Sequence, residues 1–105
     1  MSEADIMRDI QVACARVGHR LFRNQVGKYQ LADGRWISSG LCIGSSDLIG
    51  WTACGRFLAV EVKTVHGRLT PEQLRFIDIV NAAGGVAFVA QSSREALEKL
   101  NERIN

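Results

Sequence analysis

The segment that most constrains the fold is the apolar run FLAVEVKTV at residues 57–65, which carries two charged side chains. Side chains alternate along a β-strand, so Glu61 and Lys63 project from the same face, and apolar residues fill the other. A strand this apolar on both faces lies inside a sheet, where an isolated ion is costly to desolvate. The sequence therefore predicts a partner or a ligand for Glu61 and Lys63.

A second apolar run, at residues 48–51, precedes this strand, and the glycine-containing segment between them predicts a hairpin. If the hairpin folds about Cys54, Asp47 lies opposite Glu61. Opposed residues have Cβ atoms roughly 4.5–5.5 Å apart, and like charges at that separation are destabilising. Lys63 supplies one compensating charge, but a divalent metal shared by both carboxylates and several waters explains the arrangement better.

Length and composition indicate one domain over residues 1–105. The chain lacks a long apolar run and a basic, apolar leader, so we expect a soluble, cytoplasmic protein with no membrane partner. The net charge of +2 decides little. The segment 16–35 is more informative, because it holds five basic residues and a single acid, Asp33. It suits phosphate contacts, and it equally suits a solvated surface.

The three cysteines lack the paired spacing of a zinc site or a redox motif, which favours reduced, structural thiols. They are Cys14, Cys42 and Cys54. His19 and His66 likewise lack metal-ligand spacing. His66 follows the central strand in a polar turn, where loop surface is the simpler interpretation and ligand contact the alternative.

Helical spacing of apolar residues from Ile6 to Val17 predicts a first helix that ends at Gly18. Glu3 in its first turn has two interpretations: a favourable charge at the helix N-terminus, or a further acid for the site. Short strands are expected at 19–26 and 34–37, with a loop between them. The segment 38–46 is rich in glycine and serine, and is either a flexible approach to a ligand or an ordinary connection.

The second half of the chain predicts helix, strand, helix. Thr70 is placed as an N-cap, with Pro71 in the first turn and Gln73 completing a capping box, so capping alone would explain Gln73. A strand at 86–90 and a helix opened by Ser92 follow. The connection from the central strand to 86–90 is a βαβ crossover, so these strands should be parallel while the hairpin is antiparallel. The fold class is α/β, with a mixed sheet flanked by helices in the order α-β-β-β-α-β-α.

Asp47, followed after a hairpin's length by Glu61, Val62 and Lys63, resembles the split acid and E-x-K signature of the PD-(D/E)XK nucleases. Nearly the whole chain resembles the VRR-NUC (virus-type replication-repair nuclease) domain, especially its small stand-alone phage members. The similar stretches are Glu3, 22–24, 44–50, 57–63, 67–73 and 84–89. Ser46 stands where the superfamily often has proline. The resemblance implies a restriction-endonuclease-like core.

The resemblance also implies roles for individual residues. Asp47 and Glu61 would bind Mg²⁺ or Mn²⁺ with the backbone carbonyl of Val62. Lys63 would orient the attacking water or stabilise developing charge, Gln73 would lie beside it, and Glu3 would complete the acidic cluster. Hydrolysis would leave a 5′-phosphate and a 3′-hydroxyl.

Substrate contacts are expected from the basic segment and the serine-rich loop, through phosphates rather than bases. The candidate DNA-binding residues are Arg20, Arg23, Asn24, Lys28, Arg35, Ser45 and Ser46. So small a domain suits recognition of DNA shape, and a homodimer suits symmetric incision of a four-way (Holliday) junction. The alternatives are a flap or nicking nuclease on branched DNA, a DNA-binding accessory module that does not cut, and a metal-free structural protein.

Overall fold

The computed structural model describes residues 1–104, which contain three helices and six strands. In chain order they are α1 (Glu3–Arg16), β1 (Arg20–Arg23), β2 (Gly27–Gln30), β3 (Trp36–Ser39), β4 (Leu48–Trp51), β5 (Phe57–Val62), α2 (Pro71–Ala82), β6 (Val86–Ala90) and α3 (Ser93–Ile104).

The main sheet has four strands in the order β1-β4-β5-β6. Its β1–β4 and β4–β5 pairs are antiparallel, and β5–β6 is parallel. The predicted α/β class, mixed sheet and parallel crossover are therefore confirmed. The β4–β5 hairpin has the predicted register, with Trp51 opposite Phe57 and Leu48 opposite Val60.

The predicted element order was wrong in one respect, because five strands rather than three precede α2. The segment expected to be a loop contains β2, which pairs with β3 as a separate two-stranded sheet. All four residues of β2 are exposed. Neither face of this hairpin is buried, so it lacks the apolar alternation by which strands are recognised.

Each face of the main sheet has its own helical layer. Leu58, Val60 and Val62 of β5 pack in one core with α1 and α3. Ala59, on the opposite face, packs in a second core with Ile77 and Val80 of α2. Because side chains alternate along β5, Glu61 belongs to the α2 face. The strand thus delivers a carboxylate to the start of α2.

Capping side chains fix where α1 and α2 begin. Ser2 accepts from the backbone N–H of Asp5, and the Asp5 carboxylate accepts in return from Ser2. Thr70 and Gln73 form the predicted capping box at α2. Glu3 therefore lies in an acidic first turn, where negative charge complements the helix dipole.

The three cysteines differ in their exposure to solvent. Cys14 lies in the core, and burial raises the pKa of its thiol to about 11, whereas Cys42 and Cys54 are exposed.

Among residues 1–104, no helix has both the length and the apolar character needed to cross a membrane.

Candidate active site

Asp47 and Glu61 meet across the β4–β5 hairpin. The backbone N–H of Asp47 donates to Oε2 of Glu61 at 3.2 Å. In return, Oδ2 of Asp47 accepts from the backbone N–H of Val62 at 2.8 Å. Continuing the register by one residue beyond the Leu48–Val60 pair explains this reciprocal contact. Two carboxyl groups therefore share one end of the hairpin.

The Glu61 side chain lies in an environment that disfavours its negative charge. The residue is only 1% exposed. Burial, and next the charge of Asp47, raise the pKa of its carboxyl to about 7, and Lys63 opposes that rise only in part. Burial and a neighbouring carboxylate both disfavour the ionised form of Glu61, and a positive charge nearby would favour it.

Lys63 and Gln73 both lie next to the same oxygen, Oε1 of Glu61. The Lys63 ammonium lies 3.6 Å from it, and the Gln73 side-chain amide donates to it at 2.9 Å. The carbonyl oxygen of Gln73 accepts from the backbone N–H of Thr70, so one side chain caps α2 and contacts the site. Both interpretations of Gln73 thus describe real contacts.

Asn24 orders the glycine- and serine-rich loop that leads into Asp47. Its amide nitrogen donates to Oγ of Ser45 at 2.7 Å and to the carbonyl of Ser46 at 2.8 Å. Its amide oxygen accepts from the backbone N–H of Leu41 at 2.8 Å. The backbone N–H of Asn24 also bonds the carbonyl of Asp47. A single buried side chain therefore fixes the position of the acid.

Comparison with known families identifies the family of the chain. The family model described as the VRR-NUC domain matches residues 10–94. The chain belongs to the VRR-NUC family. Membership gives it a nuclease-type fold, and the opposed acids with the nearby lysine lie inside the matched range. No curated protein matches the sequence.

Glu3 lies outside the range matched by the VRR-NUC model. It is exposed and one helical turn before Met7, which lines a recess of about 160 Å³ together with Arg23 and Asp47. Residues three and four apart share a helix face, so Glu3 is on the same face of α1 as Met7. Within residues 1–104, however, no three carboxylate, imidazole or thiol side chains come together as a metal-binding group.

The basic residues predicted to contact DNA occupy different environments in the VRR-NUC domain. Arg23 lines the recess beside Asp47, and Lys28 is exposed on β2. Arg20 is at the far end of β1, where its guanidinium donates to the carbonyls of Ala15 and His19. Arg35 forms an ion pair of 2.7 Å with Asp33.

The three polar residues predicted to contact DNA are buried in the VRR-NUC structure. Asn24, Ser45 and Ser46 are 8%, 6% and 1% exposed. Asn24 and Ser45 use their side chains inside the loop. The Ser46 hydroxyl has no hydrogen-bond partner among the described residues. In this conformation they shape the loop before Asp47.

The donor set suits a hard divalent cation. Mg²⁺ and Mn²⁺ prefer carboxylate, carbonyl and water oxygens. Asp47 and Glu61 supply carboxylate oxygens side by side, and a cation there would offset both the burial of Glu61 and the nearby charge of Asp47, which together raise the pKa of Glu61. The residues present therefore fit the metal that the sequence predicts.

Two contributors to the site went unrecognised in the sequence. One is Asn24 as the organiser of the loop. The other is Gly67, since a Cβ at this position would lie 3.1 Å from Cδ of Lys63. Gly44 is similarly constrained, because a Cβ there would lie 2.6 Å from the Glu72 carbonyl oxygen. Polar residues and glycines in loops gave no signal of which distant segment they contact.

Proposed function

We propose that this VRR-NUC protein is a metal-dependent, structure-specific DNA endonuclease that resolves four-way junctions as a homodimer. The observation that carries the proposal is the Asp47–Glu61 pair: burial, and next the charge of Asp47, raise the pKa of Glu61, while Lys63 lies 3.6 Å away. Structural carboxylates are normally paired by opposite charge rather than placed against each other. This arrangement is better explained by chemistry than by stability.

Asp47, Glu61 and the carbonyl of Val62 would hold Mg²⁺ or Mn²⁺. When bound, the metal would neutralise the scissile phosphate and lower the pKa of a water molecule. The hydrogen bond from Val62 to Oδ2 of Asp47 fixes the orientation of that carboxylate before any ligand arrives. Such preorganisation avoids a reorganisation cost during the reaction.

Lys63 would provide positive charge where negative charge develops on the phosphate, or orient the attacking water. Its side chain is largely buried, so its ammonium acts in a medium where charge is weakly screened. Gln73 holds Oε1 of Glu61 from the start of α2 and so limits the rotamers of that carboxylate. Hydrolysis would leave a 5′-phosphate and a 3′-hydroxyl.

Phosphate contacts near the acids would come first from Arg23, which lines the same recess as Asp47. Lys28 is available farther along the chain. Arg20 would contribute only by leaving the carbonyls of Ala15 and His19, and Arg35 only by leaving Asp33. We therefore expect Arg23→Ala to weaken DNA binding more than Arg20→Ala.

An uncovered apolar area on the α2 face supports the homodimer. Phe22, Trp51, Phe57 and Ile79 are 40–60% exposed. The rings of Phe22 and Trp51 are in tilted contact, with centroids 5.6 Å apart. Trp51 lies opposite Phe57 in the β4–β5 pair, and Phe57 and Ile79 line one recess. Their exposed area, roughly 400 Å², is typical of an interaction patch and about half of one partner's share in a standard interface.

Cleavage of labelled four-way junction, flap and linear duplex tests the proposal. The wild type should cut the junction symmetrically with Mg²⁺ and not with EDTA. Lys63→Ala should abolish cutting while DNA binding persists. Lys99→Ala is the matched control and should cut normally, because Lys99 belongs to α3 and donates to the Val89 carbonyl, away from the acids. Binding without cutting under all metal conditions would indicate an accessory module.

Metal binding and oligomeric state are tested separately. Calorimetry with Mn²⁺ should show binding to the wild type and none to Asp47→Asn, and absence of binding to both would favour a metal-free structural role. Ile79→Glu should turn the dimer into a monomer in light scattering. A wild-type monomer that cuts flaps would remove junction resolution and leave nuclease activity in place.

A further inference from the structure

The β2–β3 hairpin presents a large aromatic side chain to solvent without any structural need for it. Trp36 is 67% exposed. The register places Gln30 opposite Trp36 and Lys28 opposite Ser38, so these four residues share one face of the hairpin. Lys28, Trp36 and Ser38 line a shallow recess on that face. An exposed indole beside an ammonium resembles the surfaces on which unpaired bases stack.

We propose that this face of the β2–β3 hairpin is a second DNA-binding site, which takes an unpaired nucleotide of branched DNA by stacking its base on Trp36 and contacting its phosphate through Lys28. The inference rests on the DNA substrate of the proposed function. It assigns recognition of strand separation to the hairpin and leaves cleavage to the acids.

The charge of the hairpin and its exposed indole together favour nucleic acid as the partner. Asp33, the acid at the turn, is engaged by Arg35 at 2.7 Å. Lys28 remains on the face of Trp36, so the hairpin carries net positive charge. An ammonium next to an aromatic face suits a ligand that is itself both planar and anionic, which describes a nucleotide.

The hairpin is held firmly enough to act as a platform. An isolated two-stranded hairpin is only marginally stable in water. Here Oγ of Ser39 donates to the carbonyl of Gln25 at 2.9 Å. Gly40, with φ of +82°, packs against Val26, where any Cβ would lie 2.8 Å from the Val26 α-carbon. The two ends of the hairpin are therefore joined to each other at residues 25–26 and 39–40.

The site lies within reach of DNA bound at the acids. Asn24 contacts the loop before Asp47, and Gln30, the partner of Trp36, is six residues farther along the chain. Six extended residues span at most roughly 20 Å, about the length of six base pairs. One branched substrate can therefore occupy both places, with its duplex at the acids and its unpaired nucleotide on the hairpin.

A single-tryptophan variant tests stacking directly. The chain has two tryptophans, so Trp51→Phe leaves Trp36 as the only indole. In EDTA, where no cleavage occurs, a short oligothymidine strand should quench its fluorescence. An abasic strand of equal length should not, because it carries the phosphates without the bases. Equal quenching by both strands, or by neither, would overturn the proposal.

Binding affinities supply the second test, with the opposite face of the same hairpin as the control. Tyr29 is exposed to a similar degree, but it pairs with Ile37 and faces away from Lys28. In EDTA, Trp36→Ala should weaken binding of oligothymidine and of a forked duplex about tenfold, and leave binding to linear duplex within about twofold. Tyr29→Ala should change all three affinities by less than about twofold.

Two outcomes would contradict the hairpin site without touching the nuclease proposal. Equal effects of Trp36→Ala and Tyr29→Ala would show that the hairpin acts through general stability. Conversion of a dimer into a monomer by Trp36→Ala would show that this face binds a second copy of the chain. Failure of the wild type to cut DNA with Mg²⁺, by contrast, would contradict the proposed function. The quenching and affinity measurements in EDTA would still test the hairpin site.

Discussion

The β4–β5 and β2–β3 hairpins are both short antiparallel ribbons, yet they place opposite kinds of side chain in opposite environments. In β4–β5, Glu61 is a carboxylate inside the sheet and 1% exposed. In β2–β3, Trp36 is an indole outside the sheet and 67% exposed. Each is the reverse of the usual preference, in which charges are hydrated and aromatic rings are buried.

The contrast teaches that position in the sheet, rather than strand geometry, decides what a hairpin can do. Burial makes a carboxylate a stronger base and a stronger metal ligand, because its charge is poorly solvated. Exposure leaves an aromatic face free for a planar ligand. The two hairpins should therefore differ in how their variants affect activity, stability and pH dependence.

The largest expected effect is on catalysis and is confined to the buried hairpin. Asp47→Asn should lower the rate of DNA cleavage by about a thousandfold or more, because several kcal/mol of metal-dependent stabilisation would be lost. DNA binding in EDTA should change little. Asp78→Asn, an exposed acid of α2, is the control and should cut normally. Wild-type rates for Asp47→Asn would exclude Asp47 from the reaction.

The free energy of unfolding should depend on the buried β4–β5 hairpin far more than on the exposed β2–β3 hairpin. Leu58→Ala in β5 removes a side chain with no exposure and should lower the free energy of unfolding by roughly 2–5 kcal/mol. Trp36→Ala should change it by less than about 0.5 kcal/mol, as for other exposed positions. Urea unfolding followed by circular dichroism measures both. Comparable losses would mean that the β2–β3 hairpin supports the core.

The raised pKa of Glu61 predicts a pH dependence of stability in metal-free protein. Its folded pKa is about 7, and its ordinary value is 4.5. Between these values the folded protein keeps a proton that the unfolded chain has released. The contribution of Glu61 to the free energy of unfolding should therefore be greatest below about pH 4.5, and fall by roughly 1–3 kcal/mol as pH rises through 7.

Urea unfolding in EDTA across this range, compared with two variants, assigns the effect. Glu61→Gln cannot titrate and should flatten the fall, whatever its absolute stability. Glu98→Gln removes an exposed carboxylate of α3 and should leave the profile unchanged. An equally steep fall in Glu61→Gln would place the titrating group elsewhere.

The smallest expected effect concerns the lysine. Gly67→Ala would put a Cβ 3.1 Å from Cδ of Lys63 and displace its ammonium, since the stem must move. Cleavage should slow by about five- to tenfold with little change in DNA affinity, because a small misplacement of a catalytic group is costly. Gly27→Ala, which makes only an ordinary 3.9 Å contact, is the control in the exposed hairpin. Equal rates for both variants would deny Gly67 a positioning role.

Much of the site followed from local pattern. Pairing about Cys54 predicts the observed β4–β5 register, and alternation along β5 predicts that Glu61 leaves the apolar core shared by Leu58 and Val60. The Thr70–Gln73 capping box is equally local, since both partners lie within one helical turn. Each of these features depends on residues close in sequence or related by one tight turn.

The sequence by itself determined the helices, through helical spacing and capping residues, and the encounter of Asp47 with Glu61, through the two-residue period of the strands and one turn. Only the tertiary structure decided that Asn24 orders the loop before Asp47 and that β2–β3 stands apart from the main sheet. The reason is physical: a polar side chain bonds whichever backbone the fold brings to it, and its own neighbours in sequence do not encode that partner.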